Sequence, residues 1–325
     1  MGKRRARNLH VLGYRDIAGL DPRPDRREAA RGAHVCEVFG RLDEALSAFR
    51  PDVALISSPP HTHMDHAENL VEAGVPCFLE ASVVEADRIA ALADRAQSLG
   101  IVVCPSCTMR YFPGPRKVRE LLAQEAVGRP LLVHYHTGQY LPDWHPWEPI
   151  QDYYVSKRET GGCREIVPFE LIWLNEIFGS PHPIACHYGK TGTLDADIDD
   201  IYHMVLQYGQ DGPLLSLSVE VLSRPVATRE MRIVGTKGIL VFSQDEACVR
   251  ITQNGTNGAW QKFTWDTGTV HSRSINPEGP YVEELRDFLS AVREKASGKF
   301  PHSLARDAET LRLLGQLEAL RAAPR

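Results

Sequence analysis

The chain has 325 residues, enough for two ordinary domains, with 43% hydrophobic and 24% charged residues. Its formal net charge of −5 gives no basic excess for a nucleic-acid surface, and no run of about 18 apolar residues offers a membrane-spanning helix. Seven cysteines, scattered and odd in number, fit free thiols in a reducing cytosol, so a cytoplasmic protein is expected. In chain order, Lys3-Arg4-Arg5-Ala6-Arg7 has no apolar stretch behind it, which argues against a signal peptide. Residues 3–13 read as a basic helix with apolar Leu9, Val11 and Leu12, stopped at Gly13. Ile17 to Leu20 is a short strand ending on Asp21. Helices are expected over 25–31 and 42–49, the second with Asp43 and Glu44 in its first turn, where the helix dipole favours them. Val53 to Ile56 is a buried strand stopping at Ser57-Ser58-Pro59-Pro60. A helix over 64–74, a strand over 77–79 ending on Glu80, and an Ala/Leu helix over 85–99 follow. Strands separated by helices in this way predict a parallel, doubly wound sheet.

The pattern then changes. Ile101-Val102-Val103 is strand-like and leads into Cys104-Pro105-Ser106-Cys107. No second ligand pair stands at zinc spacing, and the expected reading is a strand end with two incidental thiols. A strand over 131–136 precedes an irregular, aromatic, proline-bearing stretch over 137–160, and a helix is expected over 167–178. Strands over 202–208, 214–222, 229–234, 239–243 and 248–253 are joined by turns such as Thr236-Lys237-Gly238 and Asn254 to Gly258, which predicts an antiparallel sheet. Helices over 282–295 and 305–322 close the chain. Asp195, Asp197, Asp199 and Asp200 alternate before a strand and read as a solvated edge, so no metal is expected. The fold class is α/β, divided as a dinucleotide-binding domain over 1–118 and an α+β substrate and oligomerisation domain over 119–325 with a large, mostly antiparallel open sheet.

With these motifs in order, the chain resembles the glucose–fructose oxidoreductase / inositol dehydrogenase / MocA family over nearly its whole length. Met1-Gly2-Lys3-Arg4-Arg5 is similar to the end of a G-x-G-x-x-G turn, with Gly2 as the third glycine. Ser57-Ser58-Pro59-Pro60-His61-Thr62-His63 resembles the family's strand-end turn beside the cofactor, Met109-Arg110-Tyr111-Phe112-Pro113 its crossover, and Gly235-Thr236-Lys237-Gly238 its hairpin. The resemblance implies a Rossmann-type first domain whose opening strand and first two glycines are missing. A start assigned to an internal methionine fits the local consistency from Gly2 onward better than true loss of the strand and of binding. It implies a cofactor site of Gly2, Asp21, Arg23, Ser57, Ser58, Pro59, His63 and Glu80. Asp21 stands where a carboxylate holds the adenosine ribose, which favours NAD, while Arg23 leaves NADP open.

The resemblance also marks departures. The family's E-K-P reads Glu80-Ala81-Ser82 here, so its lysine is Ala81. Its helix with an aspartate and a histidine reads Gly161-Gly162-Cys163-Arg164-Glu165-Ile166-Val167-Pro168-Phe169-Glu170, with Ile166 and Phe169 at those positions. Neither Ala81 nor Phe169 can take a hydroxyl proton. Trp144-His145-Pro146-Trp147-Glu148 and Tyr153-Tyr154-Val155-Ser156-Lys157 resemble a segment of members thought to act on sugars in surface-polysaccharide pathways. The replacement candidates are therefore His145, Lys157 and Glu170 for catalysis, and Arg110, Trp144, Trp147, Tyr154, Arg164 and Glu165 for substrate. The expected function is an NAD(P)-dependent oxidoreductase of a sugar or nucleotide sugar, forming a homo-oligomer. The alternative is a catalytically silent sugar- or nucleotide-binding member.

Overall fold

Short apolar runs between helices build the first of two units. In the computed structural model, which describes residues 1–32, 34–268 and 277–320, one unit holds Met1–Thr108 with the later stretch 277–309, and the other holds Met109–Gly268 with the final helical residues from Thr310. The first unit runs α1 (Gly2–Val11), β1 (Ala18–Leu20), α2 (Pro24–Ala30), β2 (Glu37–Phe39), α3 (Leu42–Ala48), β3 (Ala54–Ile56), α4 (His63–Glu72), β4 (Cys77–Leu79), α5 (Ala86–Leu99) and β5 (Val103–Pro105). β4 and β5 are buried throughout, as strands of a parallel sheet covered on both faces are. β5 begins later than its apolar run suggested, because Ile101 is drawn into the end of α5 by its N–H bond to the Ala96 carbonyl. β2, which carries too little apolar sequence to stand out, forms by pairing with β1.

All pairings here are parallel, yet they form two separate ladders, β1–β2 and β3–β4–β5. The break falls where the resemblance places the opening strand, between the strand ending on Asp21 and the strand ending at Ser57. Burial follows it: Leu20 is 37% exposed and Ala54 and Leu55 are half-buried, whereas Phe78 and Leu79 are fully enclosed.

α1 buries a different side from the one its apolar residues predict. Arg4, Arg5, Ala6 and Asn8 are buried, and Val11 is exposed. Ion pairing decides this: Arg5 reaches Glu80 and Glu284, while Arg4, Arg7 and Asn8 converge on Glu278.

The second unit contains α6 (Pro113–Ala123), β6 (Pro130–Gly138), α7 (Cys163–Phe178), and strands β7 (Pro181–Gly189), β8 (Ile201–Tyr208), β9 (Leu214–Glu220), β10 (Thr228–Gly235), β11 (Gly238–Ser243), β12 (Cys248–Gln253) and β13 (Gln261–Thr264). These strands form one eight-stranded sheet in the order β13-β12-β11-β10-β6-β9-β8-β7, antiparallel except for the β6–β9 pair. β7 escaped prediction because it carries Pro181 and Pro183, which an edge strand tolerates. Along β6, Val133 and Tyr135 point into the core and His134 and His136 to the other face. That outer face carries a shallow depression of about 370 Å³ lined by His134, His136, Ser216, Ser218, Glu230 and Arg232.

Two sequence readings need correction here. α7 starts at Cys163 rather than Val167, because Gly162, at φ +58°, caps it and Pro168 is accommodated inside. The aspartate run is a solvated edge only at Asp195 and Asp197, which are exposed. Asp200 is buried and accepts hydrogen bonds from the Thr191 and Gly192 N–H groups and the Thr191 hydroxyl, and buried Asp199 pairs with Arg158. Helices α8 (Gly279–Arg293) and α9 (Leu304–Ala319) match the last two expected ones, except that residues 321–322 lie outside the described residues.

Candidate active-site groups in each unit

In the first unit the polar residues predicted for a cofactor gather at the carboxyl ends of the parallel strands, where such sheets bind ligands. Asp21 follows β1 and its Oδ1 accepts the Arg23 N–H at 2.9 Å. The Arg23 guanidinium is paired with Asp25 at 2.7 Å. After β3, the Ser57 hydroxyl donates to Glu80 (3.3 Å), and Thr62 donates to the Ser58 hydroxyl (2.7 Å). The His63 Nε2 lies 2.9 Å from the Ser58 carbonyl, so Nε2–H is the donor and Nδ1 is left as a bare acceptor. Burial pushes the His63 pKa down, which keeps the ring neutral. His63 Nδ1 and the Ser82 hydroxyl are both shielded and make no hydrogen bond among the described residues. Each such group costs on the order of 1–3 kcal/mol, a cost that a polar ligand would relieve.

Glu80 is turned inward. Arg5 grips it through two bonds, from Nε at 2.6 Å and from Nη2 at 3.0 Å, and the same Nη2 also donates to Glu284 at 2.8 Å. Arg5 also stacks on Phe78, 4.6 Å from the ring centre. Glu284 takes further hydrogen bonds from the Ser106 and Thr108 hydroxyls and the Cys107 N–H. The sequence reading missed this cluster. Its signal was a charged Glu284 inside the apolar run of α8. Gly2 sits at the start of α1, where a side-chain Cβ would meet only Ser57, at an ordinary 3.9 Å, so nothing nearby demands a glycine. In the Cys104-x-x-Cys107 stretch, burial pushes the Cys104 thiol far above its usual range and away from thiolate chemistry.

In the second unit the aromatic segment folds onto the start of α7. The His145 ring is stacked between Trp147 (4.9 Å) and Tyr153 (4.5 Å), and its Nδ1 is 2.9 Å from Glu148. Tyr154 lies edge-on to Tyr153 and donates its hydroxyl to Glu165 at 2.7 Å. Three shielded polar atoms here have no hydrogen-bond partner among the described residues: Trp144 Nε1, Tyr153 Oη and Glu165 Oε2. Burial raises the Tyr153 phenol, with Glu148 and Glu165 adding to the rise, which places both carboxylates in its neighbourhood. Burial also raises Glu165 to about 7, outweighing the Tyr154 hydrogen bond that favours its ionised form.

The other candidates are placed differently. Glu170 is 0% exposed, and both its oxygens are used, by Arg229 (2.7 Å), Tyr135 (2.5 Å) and Trp173 (2.8 Å). It holds the core and has no free oxygen for a substrate proton. Lys157 is exposed beside Asp197. Arg164 is tied to Glu318 (2.7 Å) and the Glu159 carbonyl (2.6 Å), and Arg110 to Glu176. Phe169 is half-buried one turn beyond Glu165.

A unit with parallel, nucleotide-type ladders and a unit with a large mixed sheet backed by helices make up the architecture of a nucleotide-binding domain carrying a second, α+β domain. Residues 1–104 match the oxidoreductase family, NAD-binding Rossmann fold, and residues 116–241 match the GFO/IDH/MocA C-terminal domain. The chain belongs to the glucose–fructose oxidoreductase / inositol dehydrogenase / MocA oxidoreductase family. A curated relative, an uncharacterized oxidoreductase of Synechocystis sp., is 22% identical over 249 residues, which span 72% of this chain and 64% of the relative's length. Among solved structures, an oxidoreductase from Agrobacterium radiobacter in complex with NAD+, L-tartaric acid and magnesium superimposes with a TM-score of 0.85 at 14% identity, covering 100% of this chain and 94% of that one. Levoglucosan dehydrogenase in complex with NADH and levoglucosan superimposes at 0.81 with 16% identity, covering 98% and 94%. At such identities these two likenesses show the shared fold.

Proposed function

We propose that this chain is an NAD-dependent oxidoreductase acting on a hydroxyl or carbonyl of a sugar or nucleotide sugar, with surface-polysaccharide building blocks the expected source. The observation that carries this reading is the Trp147–His145–Tyr153–Tyr154 array, which offers aromatic faces to a sugar ring and unpaired polar atoms to its hydroxyls. Both neighbours described above were solved with a polyhydroxylated ligand and NAD or NADH. Asp21 would hold the adenosine ribose, the α1 N-terminus the pyrophosphate, and His63 Nδ1 and the Ser82 hydroxyl the nicotinamide half. When bound, the nicotinamide supplies or takes up a hydride. The Asp21 carboxylate repels a 2′-phosphate, and pairing with Asp25 occupies Arg23, so NAD is favoured over NADP. We also propose self-association through the open sheet face, to be checked by light scattering.

Titration of NADH fluorescence followed by a screen of activated sugars for cofactor reduction tests the reading. Absence of binding at millimolar NADH removes it and leaves the silent, ligand-binding alternative, which the loss of acid/base groups at Ala81 and Phe169 would favour. Tyr153→Phe supplies a sharper check. Removing an unpaired buried hydroxyl is expected to leave stability unchanged or raise it by up to about 1 kcal/mol. The same variant is expected to weaken sugar binding roughly fivefold or more, measured by calorimetric titration.

A further inference from the structure

Strand register sorts the outer face of the eight-stranded sheet into rows. Leu214, Leu132, Val234 and Ile239 stand side by side on β9, β6, β10 and β11 and form an apolar row. The next row reads Ser216, His134, Arg232, Val241 and Arg250, from β9 to β12. The third reads His187, His203, Ser218, His136 and Glu230, from β7 to β10. All four histidines, Glu230 and Arg232 are exposed. An apolar row beside ionisable ones, around a shallow depression, suits a protein partner. Both signs of charge stand close together on β10, where Glu230 and Arg232 lie two residues apart, and Arg232 is in no ion pair among the described residues. Such a face complements itself. About a two-fold axis, the Glu230 of each copy can meet the Arg232 of the other.

We propose that this face joins two copies of the chain while its histidines are neutral and releases them when His134 and His203 ionise. This rests on the self-association proposed above and adds its regulation. Association takes the face out of water, which disfavours an imidazolium. Stacking like rows also brings the cations of one copy towards those of the other. His134 faces Arg232 on β10 and Ser216 on β9, so on ionising it sets a second cation beside the first in a row without a carboxylate. His203 has its Nδ1 2.8 Å from the Ser218 hydroxyl on β9 and faces His187 on β7, while the carboxylate of its row, Glu230, stands three strands away. His136 differs. Its Nε2 lies 3.2 Å from Glu220 on β9 and Glu230 faces it on β10, and the Glu220 hydrogen bond holds its pKa above the ordinary 6.5. Its charge is balanced in both states, so it does not gate. His134 and His203 release their protons more readily in the pair than in the free copy. Association is therefore strongest above about 6.5, the ordinary histidine value, and is lost as the pH falls below it.

Sedimentation and light scattering of the full chain between about pH 5.5 and 8 provide the test, with circular dichroism to follow the fold. The wild-type dissociation constant is expected to rise about 10²-fold or more from the upper to the lower end of that range, with the circular dichroism spectrum unchanged. The double variant His134→Gln, His203→Gln is expected to associate at the upper end within about threefold of wild type and to vary less than about fivefold across the range. His136→Gln is expected to keep the wild-type pH dependence. Val241→Lys, which sets a fixed cation in the middle of the second row, is expected to separate the copies at every pH. A wild type that associates equally at both ends, or a double variant that keeps the wild-type dependence, overturns the gate and leaves self-association standing. A wild type that is monomeric at the upper end overturns both. Association of Val241→Lys equal to that of wild type, or a spectrum of unfolding at the lower end, also overturns the proposal.

Discussion

Arg5→Met is expected to destabilise the first unit by about 3–5 kcal/mol, the usual consequence of removing one partner from a buried ionic cluster. Arg5 is 1% exposed and the carboxylate of Glu284 is 0% exposed. Without the guanidinium, Glu80 loses its bidentate partner and Glu284 retains only the neutral donors Ser106, Cys107 and Thr108. Methionine fills the volume and can keep contact with Phe78, so the loss reports charge more than packing. All five tryptophans lie in the second unit, so denaturant unfolding should be followed by far-ultraviolet circular dichroism, which sees both units. The pH dependence should also invert. Burial alone would raise Glu80, but Arg5 outweighs it and holds the carboxyl below its ordinary value of 4.5. Its contribution is thus present above about 4.5 and lost as pH falls through the lower folded value. In Arg5→Met the main influence opposing burial is gone, leaving the weaker pull of the N-terminal amine and His63, and the variant should gain stability as the pH is lowered from 7 towards 5. A loss below 1 kcal/mol at pH 7 would show that the cluster contributes little.

Gly161→Ala is expected to disrupt the aromatic segment. A Cβ at Gly161 would fall 2.1 Å from the Val155 carbonyl oxygen and 2.4 Å from the Val155 Cα, so the backbone must move. Val155 is buried and directly follows Tyr153 and Tyr154, so the movement displaces the residues that hold Glu165. Overpacking of this kind costs about 1–3 kcal/mol and more where backbone is the obstacle. Because the tryptophans of this unit include Trp144 and Trp147, their fluorescence should shift in the folded variant while NADH binding to the first unit is retained. Unchanged fluorescence and unchanged sugar affinity would refute the steric reading.

Much of this was legible in the sequence. Continuous apolar runs such as Cys77–Leu79, glycine stops such as Gly100, and turns such as Thr236-Lys237-Gly238 act locally, so they fix elements and hence the α/β architecture without reference to distant residues. The order of the short motifs carried the family. Residues belonging to the candidate site were harder to separate from structural ones. Glu165 and Glu170 lie five positions apart on one helix and look alike in a string of letters. Only the packed structure distinguishes them: Glu170 meets Arg229 and Tyr135 from the sheet and Trp173 from its own helix and is satisfied, whereas Glu165 meets the Tyr154 hydroxyl and keeps an oxygen with no hydrogen bond among the described residues. Arg5 likewise read as one charge in a basic helix until Glu80 and Glu284, 75 and 279 residues away, closed on it. Periodicity and turn chemistry are short-range properties that the sequence determines by itself. The state of a buried charge depends on which distant groups solvate it in place of water, and that is settled only when the chain is folded.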